Sequence, residues 1–414
     1  MQRSEPARVD GVLGDWQAIT IKFSGDVLPR ERTEVFKGAM FAAYPGDLVF
    51  SKIDARNGAI GLIPDSIPKA VVTSEYPVFT PKADKLRANY LHHLLRAKHF
   101  RADLQRKASG TSGRKRVTPE GFLSLEIPVP SLAEQDALIA TYTDALTRAA
   151  QLEQAADAIE RAGWQAFETA LGVAPPPPLP DRPVFVARFK DVERWSHDGI
   201  LRGVIGNGVT ETETSTEALG NALLEVRHGC SKGPSKKATS LRVMKISAVT
   251  KGRLDLSEHK FIADEPTLRE QFALKSGDIL MCRTNGTLAY VGMSALVEAD
   301  IDDMIFPDKV IRVRPDPEKI EPGFLWRLLQ MPAVRSQIEA AARTAVGNFA
   351  IGGKDIKALK VRLPLPARQK SLAQALGDAM TDAKSKRTEA ATLRQSAWAA
   401  FEAALFTATE GASA

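Results

Sequence analysis

A short segment of the first half carries side chains that can read DNA bases. Ser51–Gly58 (SKIDARNG) places Lys52, Arg56 and Asn57 where a strand is expected to end in a turn. Lysine and arginine can donate to guanine and asparagine can pair with adenine, so this combination suits contacts in the major groove. A solvated hairpin tip is the competing interpretation of the same residues.

A glycine-rich basic loop follows in the same half. Gly110–Arg116 (GTSGRKR) combines two glycines with Arg114, Lys115 and Arg116. Backbone amides and guanidinium groups in such a loop can surround a DNA phosphate. A flexible connector would have a similar composition, so this interpretation also stays open.

The second half offers its own candidates for DNA contact, chosen by position and chemistry. They are Lys232, Lys236, Lys237, Arg283 and Asn285.

Positive charge is concentrated around both sets of candidates. Residues 96–116 hold eight basic residues and one acid, and residues 227–245 hold six basic residues and none, although the net charge of the whole chain is only +6. Local basic density of this kind is typical of phosphate binding. A solvated helix face and a mobile loop would give the same count of basic residues. The position of both clusters next to the repeated elements favours DNA binding.

No catalytic or metal site is predicted. Gly352-Gly353-Lys354-Asp355 lacks the upstream glycine and the hydroxyl of a phosphate-binding P-loop. Glu258-His259-Lys260 has the local form of a nuclease motif, but the nearest upstream Pro-Asp, at 180–181, is too distant. His92 and His93 are expected to be surface or phosphate-side residues, since no cysteine or histidine lies at ligand spacing.

Length and composition are typical of a globular protein without membrane spans. The chain has 414 residues, 44% hydrophobic and 26% charged, which predicts two or three globular domains. No apolar run approaches the ~18 residues of a membrane span, and the segment 1–15 is polar. Two cysteines, Cys230 and Cys282, indicate a reducing compartment, so cytoplasm is expected.

The elements that position these residues occur twice. Pro81–Leu171 matches Pro315–Leu405 at a constant offset of 234, and Gly46–Leu48 matches Gly277–Ile279 at 231, so one three-residue indel separates the registers. Such a tandem repeat predicts two similar modules with pseudo-two-fold symmetry. Two similar surfaces suit a DNA site with two half-sites.

Local patterns predict the elements of each copy. Asp47–Ile53, Val71–Phe79 and Asp278–Cys282 read as strands, Asn57-Gly58 as a turn, and Leu86–Gln105 as one helix.

Each copy ends in a long helix. Ser131 and Glu134 form a capping box that opens the first, and the second is expected over Ala367–Leu405. A heptad seam in both predicts an antiparallel pair, each helix about 40 residues and roughly 60 Å long, separating two globular heads. The seam positions are Leu138, Tyr142, Ala145, Ala149, Leu152, Ala156 and Ile159, and Leu372, Leu376, Ala379, Ala383, Lys386, Ala390 and Leu393.

The two halves differ in length. Only 45 residues precede Gly46, whereas 94 residues, 183–276, lie before Gly277 in the second half. The first head is therefore either a compact version or one whose start lies further upstream, and the sequence leaves both open.

The arrangement resembles the DNA specificity subunit of type I restriction–modification systems, over nearly the whole chain. The segments that carry the resemblance are GDLVFSKIDARNGAIG (Gly46–Gly61), SGTSGRKRVTPEGFLSLEIPVPSLAEQ (Ser109–Gln135) and VGNFAIGGKDIKALKVRLPLPARQ (Val346–Gln369). A loop, a Pro-x-Pro and a Glu/Arg-Gln opening a long helix look like that family's boundary between a target-recognition domain and a conserved region.

The resemblance implies an α+β fold with two mixed target-recognition domains separated by two long antiparallel helices. Its domains would be recognition domain 1 at 1–108, conserved region 1 at 109–172, a Pro-rich linker at 173–183, recognition domain 2 at 184–343 and conserved region 2 at 344–414.

The resemblance also implies a chain without catalytic activity. Each recognition domain would read one half of an interrupted sequence in double-stranded DNA. Two adenine methyltransferase subunits would dock, and two translocase–nuclease subunits can join for cleavage. The chain itself would bind no cofactor, because S-adenosylmethionine, ATP and Mg belong to the partners, and no membrane is involved. Unequal heads predict an asymmetric target.

Two departures from the family pattern leave an alternative. The first head is short, and the counterpart of Arg114-Lys115-Arg116 is the uncharged Asn348-Phe349-Ala350. A non-catalytic scaffold or adaptor of a DNA-defence complex, with weak or one-sided DNA binding, would have the same features.

Overall fold

The computed structural model describes residues 2–3, 6–9, 11–31, 38–108, 115–172, 186, 216–345 and 347–410. The chain divides into two compact units. Unit 1 comprises Met1–Gln154 with Lys386–Ala414, and unit 2 comprises Ala155–Ser385. The Pro-rich linker expected at 173–183 lies outside the described residues.

The described residues of the first head, in unit 1, form nine strands and three short α-helices. These are β1 (Gln2–Arg3), β2 (Arg8–Val9), β3 (Gln17–Ile21), β4 (Val27–Pro29), β5 (Met40–Ala43), β6 (Leu48–Phe50), β7 (Ile60–Leu62), β8 (Ala70–Thr73), β9 (Val78–Thr80), α1 (Ala88–Leu94), α2 (Lys98–Lys107) and α3 (Pro119–Leu123). One sheet has the order β1-β9-β6-β7, and the other β2-β5-β8-β3-β4.

A long helix, α4 (Leu132–Ala170), leads into the second head in unit 2. That head contains β10 (Glu217–Ala218), β11 (Leu223–His228), β12 (Leu241–Met244), β13 (His259–Ile262), α5 (Pro266–Phe272), β14 (Ile279–Cys282), β15 (Thr284–Asn285), β16 (Ser294–Leu296), β17 (Met304–Ile305), β18 (Val310–Pro315), α6 (Pro322–Gln330), α7 (Pro332–Ala341), β19 (Arg343–Ala345), β20 (Asn348–Ala350), α8 (Gly353–Ala358) and β21 (Lys360–Val361). The helix α9 (Pro366–Glu410) follows.

The sheets of the second head repeat those of the first. Its antiparallel sheet β11-β18-β14-β16 has the order of β1-β9-β6-β7. In both heads a parallel strand pair also carries an antiparallel neighbour, as β8-β3-β4 and as β17-β12-β13. The described part of the shorter first head thus has both layers. Two small sheets of unit 2, β10-β21 and β15-β20-β19, add to this plan.

Three sequence predictions need correction. The single helix predicted over Leu86–Gln105 is two helices, because the backbone at Ala97 is extended (φ −62°, ψ 148°). The bend lets both helices bury apolar side chains in one core, where Leu94, Leu95 and Phe100 are almost fully inaccessible. The predicted strand Val71–Phe79 is two strands in different sheets, separated by a turn in which the Tyr76 amide donates to the Thr73 carbonyl.

The third correction concerns His92 and His93, which are not surface residues. His92 Nε2 lies 3.1 Å from the Ile60 carbonyl oxygen, and the His93 ring packs edge-on against Tyr142 and Phe401. Burial, above all other causes, lowers the pKa of each imidazole to about 4. Both rings are therefore half-buried groups that favour the neutral form at pH 7, which disfavours a phosphate contact by an imidazolium.

The start of α4 follows the sequence prediction. The Ser131 amide donates to Glu134 Oε2 (2.8 Å) and the Glu134 amide donates to Ser131 Oγ (3.3 Å), as in a capping box. The hydrogen bonds from Ser131 lower the pKa of the Glu134 carboxyl. All fourteen seam positions of the two long helices are buried or half-buried.

Within each unit, the two long helices run antiparallel. In unit 1, Tyr142 of α4 contacts Phe401 (ring centroids 5.6 Å apart), while further along α4 Glu153 pairs with Arg394. In unit 2, a methyl group on Gly163 would come within 2.9 Å of Ala379 Cβ, and Arg368 donates to the Ala170 carbonyl. Small residues thus permit close helix packing, as their frequency in the seam predicts.

Buried glutamines anchor each long helix to its head. Gln135 Oε1 accepts from the Arg87 amide (2.8 Å), and its Nε2 donates to the Lys85 and Pro130 carbonyls. Gln369 makes the same three bonds in unit 2, to Glu321, Lys319 and Pro364, each 234 residues later. Both side chains are fully buried, so the sequence repeat is also a repeat of side-chain function.

Candidate nucleic-acid interface

A basic residue occupies one equivalent position in each head, just beyond the central strand of the antiparallel sheet. In the first head the Lys52 amide donates to the Glu75 carbonyl (3.0 Å), and the Lys52 carbonyl accepts from the Val117 amide (2.8 Å). In the second, Arg283 makes the same two bonds, to Lys309 (2.8 Å) and from Ile351 (3.0 Å). Two predicted residues, Lys52 and Arg283, are thus held in the same backbone frame.

Strands β6 and β7 form a hairpin in the first head, and β14 and β16 form the equivalent hairpin in the second. The loops of the two hairpins also end in equivalent contacts. Arg101 on α2 donates from Nη2 to the Asn57 carbonyl (3.3 Å), and Arg335 on α7 donates from Nη1 to the Val291 carbonyl (2.8 Å). The following glycines, Gly58 and Gly292, have positive φ values of 105° and 78°, a conformation that favours glycine. An arginine therefore fixes the end of the hairpin loop in both heads.

The three-residue indel lies between these two fixed points. In the first head the loop closes through a 3-10 turn, Ala55–Asn57. In the second it first forms β15, which pairs with β20 and so ties the second copy of the glycine-rich loop into a three-stranded sheet. The same frame thus carries two different loop tips.

The candidates of the first head gather around this frame. Arg56 and Asn57 lie half-buried in the 3-10 turn, where Asn57 Nδ2 donates to Asp54 Oδ1 (3.1 Å). Arg56 Nε is buried without a hydrogen-bond partner. Exposed Lys115 and Arg116 precede Val117, and Arg116 Nε lies 3.3 Å from Glu75 Oε2. Arg114 lies outside the described residues.

The candidates of the second head are only partly brought together. Arg283 Nη1 donates to the Asp308 carbonyl (3.1 Å), and Asn285 Oδ1 accepts from the Thr287 amide (3.0 Å). Lys232 belongs to a segment next to Asp308, but its ammonium group pairs with Glu265. The exposed Lys236 and Lys237 follow Ser235, whose amide donates to the Phe261 carbonyl, away from the frame.

The charged and buried groups around Arg283 suit the binding of an anion rather than catalysis. Burial, and secondarily the charge of Arg283, lowers the pKa of His228. Burial raises the pKa of the Cys282 thiol to about 11, so the thiolate needed for a nucleophile is scarce at pH 7. The guanidinium of Arg283 can donate to a phosphate or to a base edge, whereas the buried Cys282 thiol does not supply a nucleophile beside it.

The nuclease-like triplet is occupied by structural contacts. Glu258 Oε2 accepts from Lys245 Nζ (3.1 Å) and Ser247 Oγ (3.0 Å), and these hydrogen bonds lower the pKa of its carboxyl. Among the described residues, no three His, Cys, Asp or Glu side chains are grouped so that they could hold a metal ion. Both cysteines are buried free thiols. No helix in the described part of the chain is long and apolar enough to cross a bilayer.

Sequence reasoning missed three residues of this frame. Arg101 and Arg335 occupy matching positions at the 234-residue offset and were visible as a conserved pair of the internal repeat. Lys309 carries no such signal, because its counterpart is Glu75 and the contact involves only the backbone carbonyl.

Comparison with known proteins finds similarity to one family. Residues 37–161 match the family model described as "Type I restriction modification DNA specificity domain". Similar proteins include the type I restriction enzyme EcoKI specificity subunit of Escherichia coli strain K12, 24% identical over 287 residues, and the StySPI specificity subunit of Salmonella potsdam, 22% identical over 277 residues. Each match covers 67% of this chain and 55% of the relative, so the chain spans about half the length of these relatives.

A solved structure supports the fold across both halves of the chain. A chain from a study of complex assembly and conformational transition of the type I R-M system aligns over 99% of this chain and 98% of its own, with a TM-score of 0.59 and 16% identity. At that identity the likeness concerns the fold alone. The match of residues 37–161 and the curated relatives show that the chain is similar to type I restriction–modification DNA specificity subunits.

Proposed function

We propose that this chain is the non-catalytic specificity subunit of a type I restriction–modification complex and reads a bipartite, asymmetric DNA site. The observation that carries the proposal is the repeated frame of Lys52 and Arg283, which holds a different loop tip in each unit. Equivalent residues in the two heads suit contacts with the phosphate backbone, which both half-sites share. Loop tips that differ between the heads suit contacts with different base sequences.

Each head has a distinct set of donors for its half-site. The first head offers Lys52, Arg56, Asn57, Lys115 and Arg116, joined by Arg114. The second offers Arg283 and Asn285, with Lys232, Lys236 and Lys237 further along its surface. Because the tip of the second head is tied into a small sheet, it can read bases in a more rigid geometry than the 3-10 turn of the first. We therefore expect two unrelated half-sites rather than a palindrome.

We propose the domain limits 1–108 and 184–343 for the two recognition domains, and 109–172 and 344–414 for the two helical regions. In this proposal the paired helices fix the gap between half-sites. Two adenine methyltransferase subunits dock on the chain, bring S-adenosylmethionine and extrude the target adenine. Two translocase–nuclease subunits, with ATP and Mg, complete a cleaving complex, and the assembly works on DNA in the cytoplasm.

The adaptor alternative depends on a first head that cannot fold. The described residues of this head form two sheets over two well-buried core clusters, one around Phe50 and Phe79 and one around Val49 and Ile63. That observation favours a working first head and with it the two-part site.

Sequencing of methylated bases in a host that expresses this chain with a cognate adenine methyltransferase would test the proposal. The expected result is N6-methyladenine in one interrupted, two-part motif that disappears when this chain is omitted. Methylation in a single unsplit motif would mean that only one head reads DNA. Methylation that persists without this chain would contradict the specificity role and favour the adaptor.

A further inference from the structure

The most exposed aromatic ring of the second hairpin loop stands where the first loop carries a candidate base reader. Strand register aligns Ile60 with Ser294 in the two hairpins, since each pairs with the equivalent residue of the central strand. At that offset of 234 the counterpart of Arg56 is Tyr290. Arg56 lies in the 3-10 turn Ala55–Asn57, and Tyr290 lies in the 3-10 turn Leu288–Tyr290.

Tyr290 is held firmly although its side chain is 44% exposed. Arg335 donates from Nη2 to the Ala289 carbonyl (3.1 Å) and from Nη1 to the Val291 carbonyl (2.8 Å), so it fixes the residues on both sides of Tyr290. The Tyr290 amide donates to the Thr287 carbonyl, and its own carbonyl accepts from the Met293 amide. An aromatic ring fixed through its backbone and left open to solvent loses little entropy on binding.

The surroundings of this ring are suited to DNA. The loop begins at Arg283 and passes through Thr284 and Asn285, which pair with Ala350 and Phe349, respectively, of the glycine-rich loop. The first head also has an exposed aromatic residue whose backbone lies beside its hairpin loop, supplied by another element. Phe23 is 62% exposed at the β3–β4 turn, and its carbonyl packs so closely on Gly58 that a methyl group there would lie 2.4 Å away.

We propose that Tyr290 is a specificity-determining residue of the second head, which contacts a base of its half-site through the aromatic ring. This inference rests on the proposed function and deepens it. The ring replaces the hydrogen-bond donors of Arg56 with an apolar surface, which suits the methyl group of thymine in the major groove or a wedge at a base step. The two heads would then differ in the kind of contact at one equivalent position.

The test is a selection of binding sites from random-sequence duplex DNA by the full chain in complex with its methyltransferase subunit. We compare the unaltered chain, Tyr290→Ala and Tyr290→Phe. The control is Leu224→Ala, which removes an apolar side chain that is 62% exposed on β11 of the same head. Preferences in the half-site read by the first head serve as an internal check that each variant is folded and assembled.

For Tyr290→Ala we expect discrimination to fall about tenfold at one or two base pairs of the second half-site only, since a contacted base pair carries this much specificity. Tyr290→Phe should keep the preference, because the ring contributes and the hydroxyl does not. An unaltered second half-site in Tyr290→Ala, or an equal change in Leu224→Ala, would overturn the inference. If Tyr290→Ala selects no sequence at all, Tyr290→Leu decides, and the inference then requires a changed second half-site.

The proposed function fails in a different way. If the unaltered complex selects no two-part motif, the specificity role is wrong whatever Tyr290 does. Once a motif is known, replacement of its thymines by deoxyuridine separates the two kinds of contact. Loss of the Tyr290 effect on the demethylated site indicates a thymine contact, and its persistence indicates a wedge.

Discussion

One core position shows how the two halves keep a contact while they change the residue. Trp326 Nε1 donates to the Ser294 carbonyl (3.2 Å), and its counterpart His92 places Nε2 3.1 Å from the Ile60 carbonyl. A carbonyl only accepts, so His92 carries its proton on Nε2. The hydrogen bond is thus common to both copies, but only the first copy can titrate.

Stability of the first unit should therefore fall in mild acid. The pKa of His92 and His93 is about 4 in the folded chain, chiefly through burial, below the ordinary value of 6.5. The unfolded chain binds protons first, so stability is fully present above pH 6.5 and is lost as pH falls towards 4. The loss is on the order of 3 kcal/mol per histidine at most. Arg96 and Asp26 also face His92, and their opposite charges partly cancel.

Urea unfolding between pH 7.5 and 4.5 measures this effect. The variant His92→Gln with His93→Phe keeps a donor and an aromatic ring but does not titrate, so its unfolding midpoint should depend much less on pH. His259→Gln is the control, since that ring caps a local turn through the Leu256 carbonyl. A pH profile of the double variant equal to that of the unaltered chain would show that other groups cause the acid sensitivity.

At the scale of elements, the end of each long helix completes a head, and one contact differs between them. Glu402 on α9 accepts from the Lys98 amide (2.7 Å), the first amide of α2. The counterpart of Lys98 is Pro332, which has no amide hydrogen. The matching Glu168 is partly buried, and this burial raises the pKa of its carboxyl.

The same substitution at Glu402 and at Glu168 should therefore change the free energy of unfolding by different amounts. Glu402→Ala removes a helix-capping acceptor and should destabilise unit 1 by about 1 kcal/mol. Glu168→Ala removes a carboxylate that cannot cap α7 and should be neutral or slightly stabilising. Thermal unfolding of the two variants side by side checks the difference, and equal destabilisation would contradict the capping role of Glu402.

The glutamine anchors should behave alike, in contrast to the glutamates. Gln135→Leu leaves one amide and two carbonyls without their partner in a buried place, and Gln369→Leu does the same in unit 2. Each should cost about 2–4 kcal/mol, because unsatisfied buried polar groups carry the full desolvation penalty. Gln151→Leu, at an exposed position of α4, is the control for urea unfolding. A cost below 1 kcal/mol for either anchor would mean that water replaces the lost bonds.

The elements that the sequence predicted well are those with a local and periodic signal. The capping box at Ser131 and the heptad seam depend on neighbours within a turn or two, and both occur as expected. The break at Ala97 could not be predicted, since it depends on a core that both helices share. Its counterpart is Met331, where the following Pro332 does mark the break, so comparison of the copies held the information.

For the whole molecule, the repeat predicted two modules but not which differences between them matter. The indel was visible as a change of register from 231 to 234. That it falls in the hairpin loop, and that it supplies β15 as a partner for the second glycine-rich loop, depends on strand pairing between distant segments. The sequence therefore marked Lys52 and Arg283 as candidates, and the structure places both in equivalent positions, whereas the role proposed for Tyr290 rests on loop geometry that the sequence does not show.

The last prediction concerns both units together. If Lys52 and Arg283 are equivalent phosphate contacts, Lys52→Met and Arg283→Met should each reduce the slope of log Kd against log salt concentration by about 0.9. The double variant should lose about 1.8, since the two residues lie in separate units and act independently. Lys370→Met, on an exposed position of α9, should leave the slope unaltered. Titration of the complex with its duplex site at several salt concentrations gives these slopes.

A changed base preference with an unaltered slope would instead make the two residues base readers. A double variant whose slope equals that of one single variant would show that only one head contacts the DNA backbone.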